Sequence, residues 1–191
     1  SNNTKVNVRW VDTEELEVND NPEAVFRNID GILIPGGFGD RGIEGKIMSS
    51  RYARENNIPF FGICLGMQCA VIDFSRHICN MKAANSTEFN KRTQYPVIDL
   101  MKSQKKIIKK GASMRLGSYS CSLTSGTKAS SAYRKKTIHE RHRHRYEFNN
   151  TYKTKLKNAG LKVSGMNEKL NLVEMIELQR HPWFVGVQFH P

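Results

Sequence analysis

Two short stretches, far apart in the chain, contain residues that could carry out nucleophilic chemistry. A cysteine at position 64 lies between two glycines, where an apolar stretch gives way to a helical pattern, and a histidine at position 190 follows another apolar stretch. A cysteine and a histidine that meet in space form a nucleophile–base pair, in which the imidazole removes the thiol proton. The imidazole can then return that proton to a leaving amine, as acyl transfer from an amide requires.

Cys64 fits the cysteine version of the nucleophile elbow, a tight turn from a strand into a helix. Gly62 and Gly66 would permit that turn, and the helix N-terminus would favour the thiolate and lower the pKa of Cys64. The alternative is an inert buried thiol, since free cysteine is among the most buried residue types. The two glycines and the strand–helix context favour catalysis, and His190 gains its significance from Cys64.

A second glycine-rich turn, at residues 36–39, follows another apolar strand. Backbone N–H groups in such a turn can point into a site and hold a developing oxyanion, although Gly-Gly turns also occur in ordinary loops. The N–H of Leu65, directly after the nucleophile, is the expected second donor.

The elements that must position these residues alternate between strand and helix. Strands are predicted at residues 5–11, 29–34, 58–63, 144–148, 161–166, 172–178 and 184–189, and helices at residues 22–28, 44–56, 65–76 and 151–159. Residues 86–126 are expected to form loops and short antiparallel strands. This order predicts an α/β fold: a three-layer, open, mostly parallel sheet with helices on both faces.

The composition is that of a single globular domain. The chain has 191 residues, 38% of them hydrophobic, and no run of about 18 apolar residues that could span a membrane. Its four cysteines match no zinc spacing and no disulfide framework, so a reducing, cytoplasmic location is expected. The net charge of +12 is concentrated at residues 102–110 and 134–145. For residues 102–110, solvated loops and an anionic partner both stay open.

The residues around Cys64 and His190 resemble the class I (triad) glutamine amidotransferases. Residues 64–68 and 189–191 carry that resemblance. Longer stretches narrow it to the glutaminase domain of the CTP synthase family, which implies a flavodoxin-like sheet. These stretches are residues 35–46, 84–89, 113–117 and 140–147, and the resemblance spans nearly the whole chain.

The resemblance implies a role for each matched residue. Cys64 would attack the side-chain amide of glutamine and form a γ-glutamyl thioester, with His190 shuttling protons. The N–H groups of Gly37 and Leu65 would form the oxyanion hole. Arg115 is suggested as a contact to GTP phosphates. The implied substrate-binding residues are Gly36, Phe38, Gln68, Glu88, Arg145 and Tyr146, of which the glutamate suits an ammonium group and the arginine a carboxylate.

The resemblance also implies a larger parent enzyme. In this family ammonia passes to a separate synthase domain that uses ATP and Mg²⁺ to convert UTP to CTP, and GTP activates the glutaminase step. The chain contains no Walker-type Gly-Lys-Ser/Thr loop, so no cofactor and no metal are expected in this domain. The parent enzyme is expected to be a homotetramer, with no membrane partner and no nucleic acid.

The domain, residues 1–191, departs from the family pattern at both ends. The family's first strand and helix are expected before Ser1, and the third triad member, a glutamate two residues after His190, is expected after Pro191. Without that glutamate His190 would lose its orienting partner, at a cost on the order of 10⁴ in rate.

Two alternative functions stay open at this point. One is the amidotransferase domain of another biosynthetic enzyme, such as one serving purine or carbamoyl phosphate synthesis. The other is a non-catalytic module of the same fold that binds nucleic acid or another anionic partner through its positive charge.

Overall fold

A computed structural model of the protein describes residues 3–100 and 114–191. The strands in these ranges are β1 (Ile32–Ile34), β2 (Phe60–Ile63), β3 (Ala84–Ser86), β4 (Tyr95–Leu100), β5 (Arg115–Leu123), β6 (Thr137–His144), β7 (Tyr146–Phe148), β8 (Leu161–Asn167), β9 (Leu172–Leu178) and β10 (Phe184–Val187). The helices are α1 (Thr13–Asn19), α2 (Pro22–Phe26), α3 (Ile43–Glu55), α4 (Leu65–His77), α5 (Lys128–Tyr133) and α6 (Lys153–Asn158), with a 3₁₀ turn at Asn150–Tyr152.

Seven of these strands form one mixed sheet in the order β1-β2-β10-β9-β8-β5-β6. The α/β class is confirmed, but the expectation of a mostly parallel sheet is corrected. Strands β1, β2 and β10 are parallel, whereas every pairing from β10 to β6 is antiparallel. The short connections at residues 168–171 and 179–183 explain the difference, because a parallel return needs a crossover of a dozen or more residues.

Helices cover both faces of the large sheet, as predicted. Alternate residues of one strand enter two separate hydrophobic cores: Phe184 packs in the core that α3 and α4 cover, and Val185 packs in the core beneath α5. The rings of Phe60 and Phe184 stack with centroids 4.4 Å apart in the first core. The sheet between these layers fixes the strand ends that carry the candidate site.

A second, smaller sheet pairs β3 with β4 in parallel and β4 with β7 in antiparallel. Strand β7 lies against α4, the helix that starts at the candidate nucleophile. Tyr146 begins β7, and Glu88 follows β3 by two residues. This sheet therefore brings the predicted substrate-binding side of the site toward the start of α4.

The predicted strand at residues 5–11 is wrong. That segment is irregular, and its apolar side chains Val6, Val8 and Trp10 are exposed, the tryptophan to 89%. Alternating apolar residues favour a strand only where a neighbour accepts its backbone hydrogen bonds, and none of the described residues pairs with this segment. The following helix, α1, is a seven-residue element capped by Asp12 that the sequence pattern did not reveal.

The other elements agree with prediction apart from the region of β5 and β6. The predicted strand at residues 144–148 is interrupted at Arg145, and the long strand β6 before it was not predicted. The basic segment at residues 102–110 lies outside the described residues. Within the described ranges, no helix has the length and apolar character that a bilayer crossing requires.

Candidate active site

Cys64 occupies the turn between β2 and α4 in a strained backbone conformation. Its φ of 53° and ψ of −101° lie in a region that non-glycine residues rarely adopt. The side chain is buried, and the backbone N–H donates to the carbonyl oxygen of Val187 at 2.7 Å. That bond ties the turn to the end of β10. The nucleophile elbow predicted from the sequence is therefore present in the structure.

The flanking glycines are required for close packing rather than for backbone freedom. Neither Gly62 nor Gly66 has a positive φ. A Cβ on Gly62 would lie 2.6 Å from the carbonyl carbon of Gly66, and a Cβ on Gly66 would collide with the carbonyl oxygen of Ile34. The first turn of α4 thus rests directly on β1 and β2, and the strain of the turn falls on Cys64 itself.

The structure brings His190 and Cys64 to the same place, beside Gly36. A Cβ on Gly36 would lie 2.5 Å from Cε1 of His190 and 3.5 Å from Cβ of Cys64. His190 is held there by its backbone N–H, which donates to the carbonyl oxygen of Arg141 on β6 at 2.8 Å. Gly36 has to lack a side chain because the imidazole fills that space. The predicted nucleophile and base are therefore neighbours.

Burial raises the pKa of the Cys64 thiol to about 12, and the carboxyl groups of Glu147 and Glu88 act in the same direction when they are ionised. The N–H of Leu65 and the side-chain amide of Gln188 oppose this rise by hydrogen bonding to the sulfur. The expectation that the helix N-terminus lowers the pKa of Cys64 is therefore corrected, because desolvation outweighs it. At neutral pH the resting group is a thiol that needs a base.

His190 is suited to be that base. Partial burial lowers the pKa of His190, and the nearby His142 and Arg143 lower it further. At neutral pH its imidazole is consequently uncharged and able to accept a proton.

The two predicted oxyanion donors belong to neighbouring segments. A Cβ on Gly37 would lie 3.1 Å from Cδ2 of Leu65, so the glycine turn packs against the start of α4. Phe38 is 59% exposed at the rim, with the guanidinium carbon of Arg143 lying 5.9 Å from its ring centroid. The turn thus forms one side of the site, with an aromatic ring at its edge.

The predicted substrate-binding charges lie together on another side of the site. The Glu88 carboxylate accepts a hydrogen bond from the N–H of Gly39 and lies in the field of Arg145, while burial raises the pKa of Glu88. Arg145 is half-buried, its guanidinium carbon lies 5.8 Å from the Tyr146 ring centroid, and its Nε has no hydrogen-bond partner among the described residues. A carboxylate-seeking guanidinium near an ammonium-seeking carboxylate matches the ends of an amino acid.

Gln68 and Gln188 form a buried amide pair beside the nucleophile. Nε2 of Gln68 donates to the carbonyl oxygen of Tyr146 at 3.1 Å and to Oε1 of Gln188 at 3.3 Å. Nε2 of Gln188 lies 3.7 Å from Sγ of Cys64. Gln68 thus lies in the site as predicted, with its amide nitrogen engaged by the protein. Sequence reasoning missed Gln188, although its position two residues before His190 was a signal.

Arg115 lies in the interior, and this contradicts the suggestion that it contacts GTP phosphates. It is 3% exposed, and its guanidinium lies 3.1 Å from Oε1 of Glu147 and 2.7 Å from Oε1 of Glu174. Nε2 of His142 lies 2.8 Å from the other oxygen of Glu174. Burial raises the pKa of Glu147 to about 8. We call these four residues the buried charge network.

The described residues contain no group of three or more His, Cys, Asp or Glu side chains placed to hold a metal ion. The polar groups at the site are instead a thiol, an imidazole, backbone N–H groups and one pair of opposite charges. This set suits the transfer of an acyl group from an amide.

Comparison with known proteins agrees with this geometry. The family model described as glutamine amidotransferase class-I matches residues 1–191. The chain belongs to the class I glutamine amidotransferase family. It is 56% identical over its whole length to a CTP synthase of Clostridium acetobutylicum and 57% identical to one of Pelodictyon phaeoclathratiforme. It spans about a third of the length of these curated relatives, 36% and 34% respectively.

Solved structures narrow the position of the chain within the amidotransferase family. The glutaminase domain of Trypanosoma brucei CTPS with bound acivicin matches with a TM-score of 0.92 and 39% identity, over 98% of this chain and 74% of that one. A putative GMP synthase subunit of Thermoplasma acidophilum shares the fold, with a TM-score of 0.58 and 17% identity. The chain is thus a glutaminase domain of the CTP synthase type, and the alternative of another biosynthetic amidotransferase is disfavoured.

Proposed function

We propose that this domain hydrolyses L-glutamine to glutamate and ammonia through a covalent intermediate on Cys64. The observation that carries the proposal is the meeting of Cys64 and His190 beside Gly36, next to an amino-acid-sized pair of charges. Glu88 would bind the α-ammonium group of glutamine and Arg145 its α-carboxylate. These two contacts would direct the side-chain carboxamide toward the thiol.

In the first half-reaction, His190 takes the thiol proton as the sulfur of Cys64 attacks the carboxamide carbon. The carbonyl oxygen becomes an oxyanion, which the N–H groups of Gly37 and Leu65 would stabilise. The carbon–nitrogen bond then breaks, and the nitrogen receives the proton from His190. Ammonia leaves, and a γ-glutamyl thioester stays on the sulfur.

In the second half-reaction, His190 takes a proton from water, and the water oxygen attacks the thioester carbonyl. The carbon–sulfur bond breaks with its electron pair returning to the sulfur. Cys64 regains its proton from the imidazole, and glutamate leaves. The neutral resting states of both residues suit this cycle, because each begins and ends it uncharged.

We further propose that the ammonia serves the ATP- and Mg²⁺-dependent amination of UTP to CTP in the rest of a longer enzyme. The curated relatives named CTP synthase are about three times as long as this chain, which spans 36% and 35% of two of them, and this supports the assignment. GTP activation, a homotetrameric assembly and a cytoplasmic location belong to the same proposal. Since Arg115 is buried, any GTP contact has to come from other residues.

Ammonia release from glutamine by the full-length protein tests the proposal. Cys64→Ala should abolish it while leaving the melting temperature close to that of the wild type, because the thiol is replaced by a smaller side chain. Cys79→Ala is the matched control, since Cys79 is a half-buried thiol just beyond the end of the same helix, and it should keep full turnover.

A folded Cys64→Ala protein that still releases ammonia would contradict the proposal. A wild-type protein with no turnover and a salt-dependent affinity for nucleic acid would instead support the non-catalytic alternative.

A further inference from the structure

The side chain of Gln188 is buried against the nucleophile. It is fully inaccessible to solvent, and its Nε2 lies 3.7 Å from Sγ of Cys64, within hydrogen-bonding distance for a sulfur acceptor. The backbone N–H of Gln188 donates to the carbonyl oxygen of Glu174 at 2.8 Å, which fixes its main chain on β9. The side-chain amide of Gln188 therefore has few alternative positions.

Hydrogen bonding sets which end of this amide faces the sulfur. The carbonyl oxygen of Tyr146 can only accept a hydrogen bond, so the NH₂ group of Gln68 has to face it. The same NH₂ group donates its second hydrogen toward Gln188, so the oxygen of Gln188 has to face Gln68. The NH₂ group of Gln188 is left pointing at Cys64.

We propose that Gln188 is a further catalytic residue, whose amide N–H holds the Cys64 thiolate when it forms and again when the thioester releases it. Gln68 is then a positioning residue, because it acts on the sulfur through the orientation of Gln188. This inference rests on the proposed function, in which that sulfur is the nucleophile.

The surroundings of the sulfur explain why such a donor is needed. Burial and the carboxylates of Glu147 and Glu88 all disfavour a negative charge on Cys64. Two hydrogen bonds act in the opposite direction, from the N–H of Leu65 and from the amide of Gln188. A hydrogen bond to a charged group contributes about twice as much as one between neutral groups. Loss of one of the two donors should therefore reduce the thiolate fraction.

The test measures alkylation of Cys64 by iodoacetamide as a function of pH, followed by peptide mapping on the folded full-length protein. Gln188→Met keeps the length of the side chain but removes the donor, and it should lower the rate about fourfold to fifteenfold at each pH. This range follows from the strength of a charged hydrogen bond, reduced because a thiolate of higher pKa is more nucleophilic.

Two further variants distinguish this role from a packing role. Gln188→Glu keeps the shape and, once its carboxyl group is ionised, replaces the donor by an acceptor, so at the alkaline end of the profile it should lower the rate at least as much as Gln188→Met. Gln68→Met should give a smaller loss in the same direction. Asn167→Leu is the matched control. The buried side-chain amide of Asn167 donates to the carbonyl oxygen of Ser120, at a distance of 2.9 Å, rather than to the sulfur of Cys64. It should leave the rate unchanged.

Rates for Gln188→Met and Gln188→Glu that superimpose on the wild-type profile would overturn the inference. If Gln188→Met does not fold, the isosteric Gln188→Glu and the Gln68→Met variant decide the question. Iodoacetamide does not require a glutamine site, so the result is independent of turnover. If the wild-type enzyme is active and the Gln188 variants are alkylated as fast as the wild type, only the proposed role of Gln188 is refuted. If the variants are alkylated more slowly but the wild-type protein has no glutaminase activity, only the proposed function is refuted.

Discussion

The parallel and antiparallel parts of the large sheet are held together by different physical means. In the parallel part, Cys64 is placed by close contacts between backbones: Gly62 and Gly66 allow α4 to rest on β1 and β2. In the antiparallel part, strands β5, β6 and β9 carry Arg115, His142 and Glu174 of the buried charge network, and the guanidinium also pairs with Glu147 of the smaller sheet. The surroundings of the nucleophile thus depend on shape, and the antiparallel part depends on electrostatics.

The stability of the domain should therefore be sensitive to side-chain size in the parallel part and to pH in the antiparallel part. Added atoms should be poorly tolerated beneath the nucleophile, since a backbone cannot move aside as a flexible side chain can. Changes in protonation should act on the antiparallel part, where buried carboxyl and imidazole groups lie together.

The largest effect is expected from Arg115→Met. This variant removes the guanidinium that pairs with Glu174 and lowers the pKa of Glu147, so at pH 8.5 the folded protein has to hold an unpaired buried carboxylate or take up a proton, and unfolding in urea should show a loss of about 3–5 kcal/mol. Arg141→Met is the control, because Arg141 is an exposed residue of the adjacent strand, and it should change stability by less than about 0.5 kcal/mol. Equal losses for the two variants would contradict the structural role of the buried charge network.

The next effect is expected from Gly66→Ala in the parallel part. The added methyl group would meet the backbone of Ile34, so the free energy of unfolding should fall by about 3 kcal/mol, at the upper end for overpacking. Gly31→Ala is the control, since its methyl group would lie 3.3 Å from the carbonyl oxygen of Pro59 and should cost less. Because no charge is involved, the Gly66→Ala loss should be the same at pH 6.5 and pH 8.5, and a pH-dependent loss would show that electrostatics also acts beneath the nucleophile.

A smaller effect is expected from Glu147→Gln on the pH dependence of stability. Burial raises the pKa of Glu147 from 4.5 to about 8, so the folded protein retains a proton that the unfolded chain has already lost. Stability should therefore fall as pH rises through this window, by about 1–2 kcal/mol between pH 6.5 and 8.5. Glu147→Gln should flatten this slope.

Histidine titration does not obscure that measurement. The pKa of His144 lies well below 6.5 because of burial, so His144 costs about 0.4 kcal/mol of stability at pH 6.5 and more only as pH falls further. Urea unfolding at both pH values for wild type and Glu147→Gln decides the point. A wild-type protein whose stability rises from pH 6.5 to 8.5 would show that Glu147 is ionised throughout.

The smallest effect is expected in the pH profile of turnover. The pKa of His190 is lowered below 6.5 by burial, His142 and Arg143, so the acidic limb of kcat/KM for glutamine should fall below pH 6.5. Arg143→Gln should move that limb upward by a fraction of a pH unit, because it removes one positive charge near the imidazole. A limb that stays in place or moves to lower pH would exclude this electrostatic effect.

Prediction from the sequence succeeded where the determinants are local. The elbow at Cys64 follows from adjacent glycines between an apolar strand and a helical pattern, and the structure shows that turn. The predicted reason for the two glycines, backbone freedom, was wrong. They are needed for close packing between α4 and the strands β1 and β2, and such contacts between separate elements cannot be predicted from a local pattern. The strand directions were only partly predicted, because they depend on the length of each connection, and the short connections after β8 and β9 require antiparallel neighbours.

The buried charge network could not be predicted in the same way. Arg115 and Glu174 are 59 positions apart, and no local pattern indicates that they pair. Strand β6 was missed because its buried side chains include His142 and His144, whereas alternation is recognised by apolar residues. Gln188 was missed for a related reason, since its contact with Cys64 joins residues 124 positions apart.

The most direct test of the central claim is the intact mass of the folded full-length protein after treatment with a diazo-ketone analogue of glutamine. We expect a single adduct that maps to Cys64, forms more slowly when glutamine is present, and is absent from Cys64→Ala. No adduct, or labelling of Cys79 at the same rate as Cys64, would show that the thiol and the glutamine-binding charges do not form one active site.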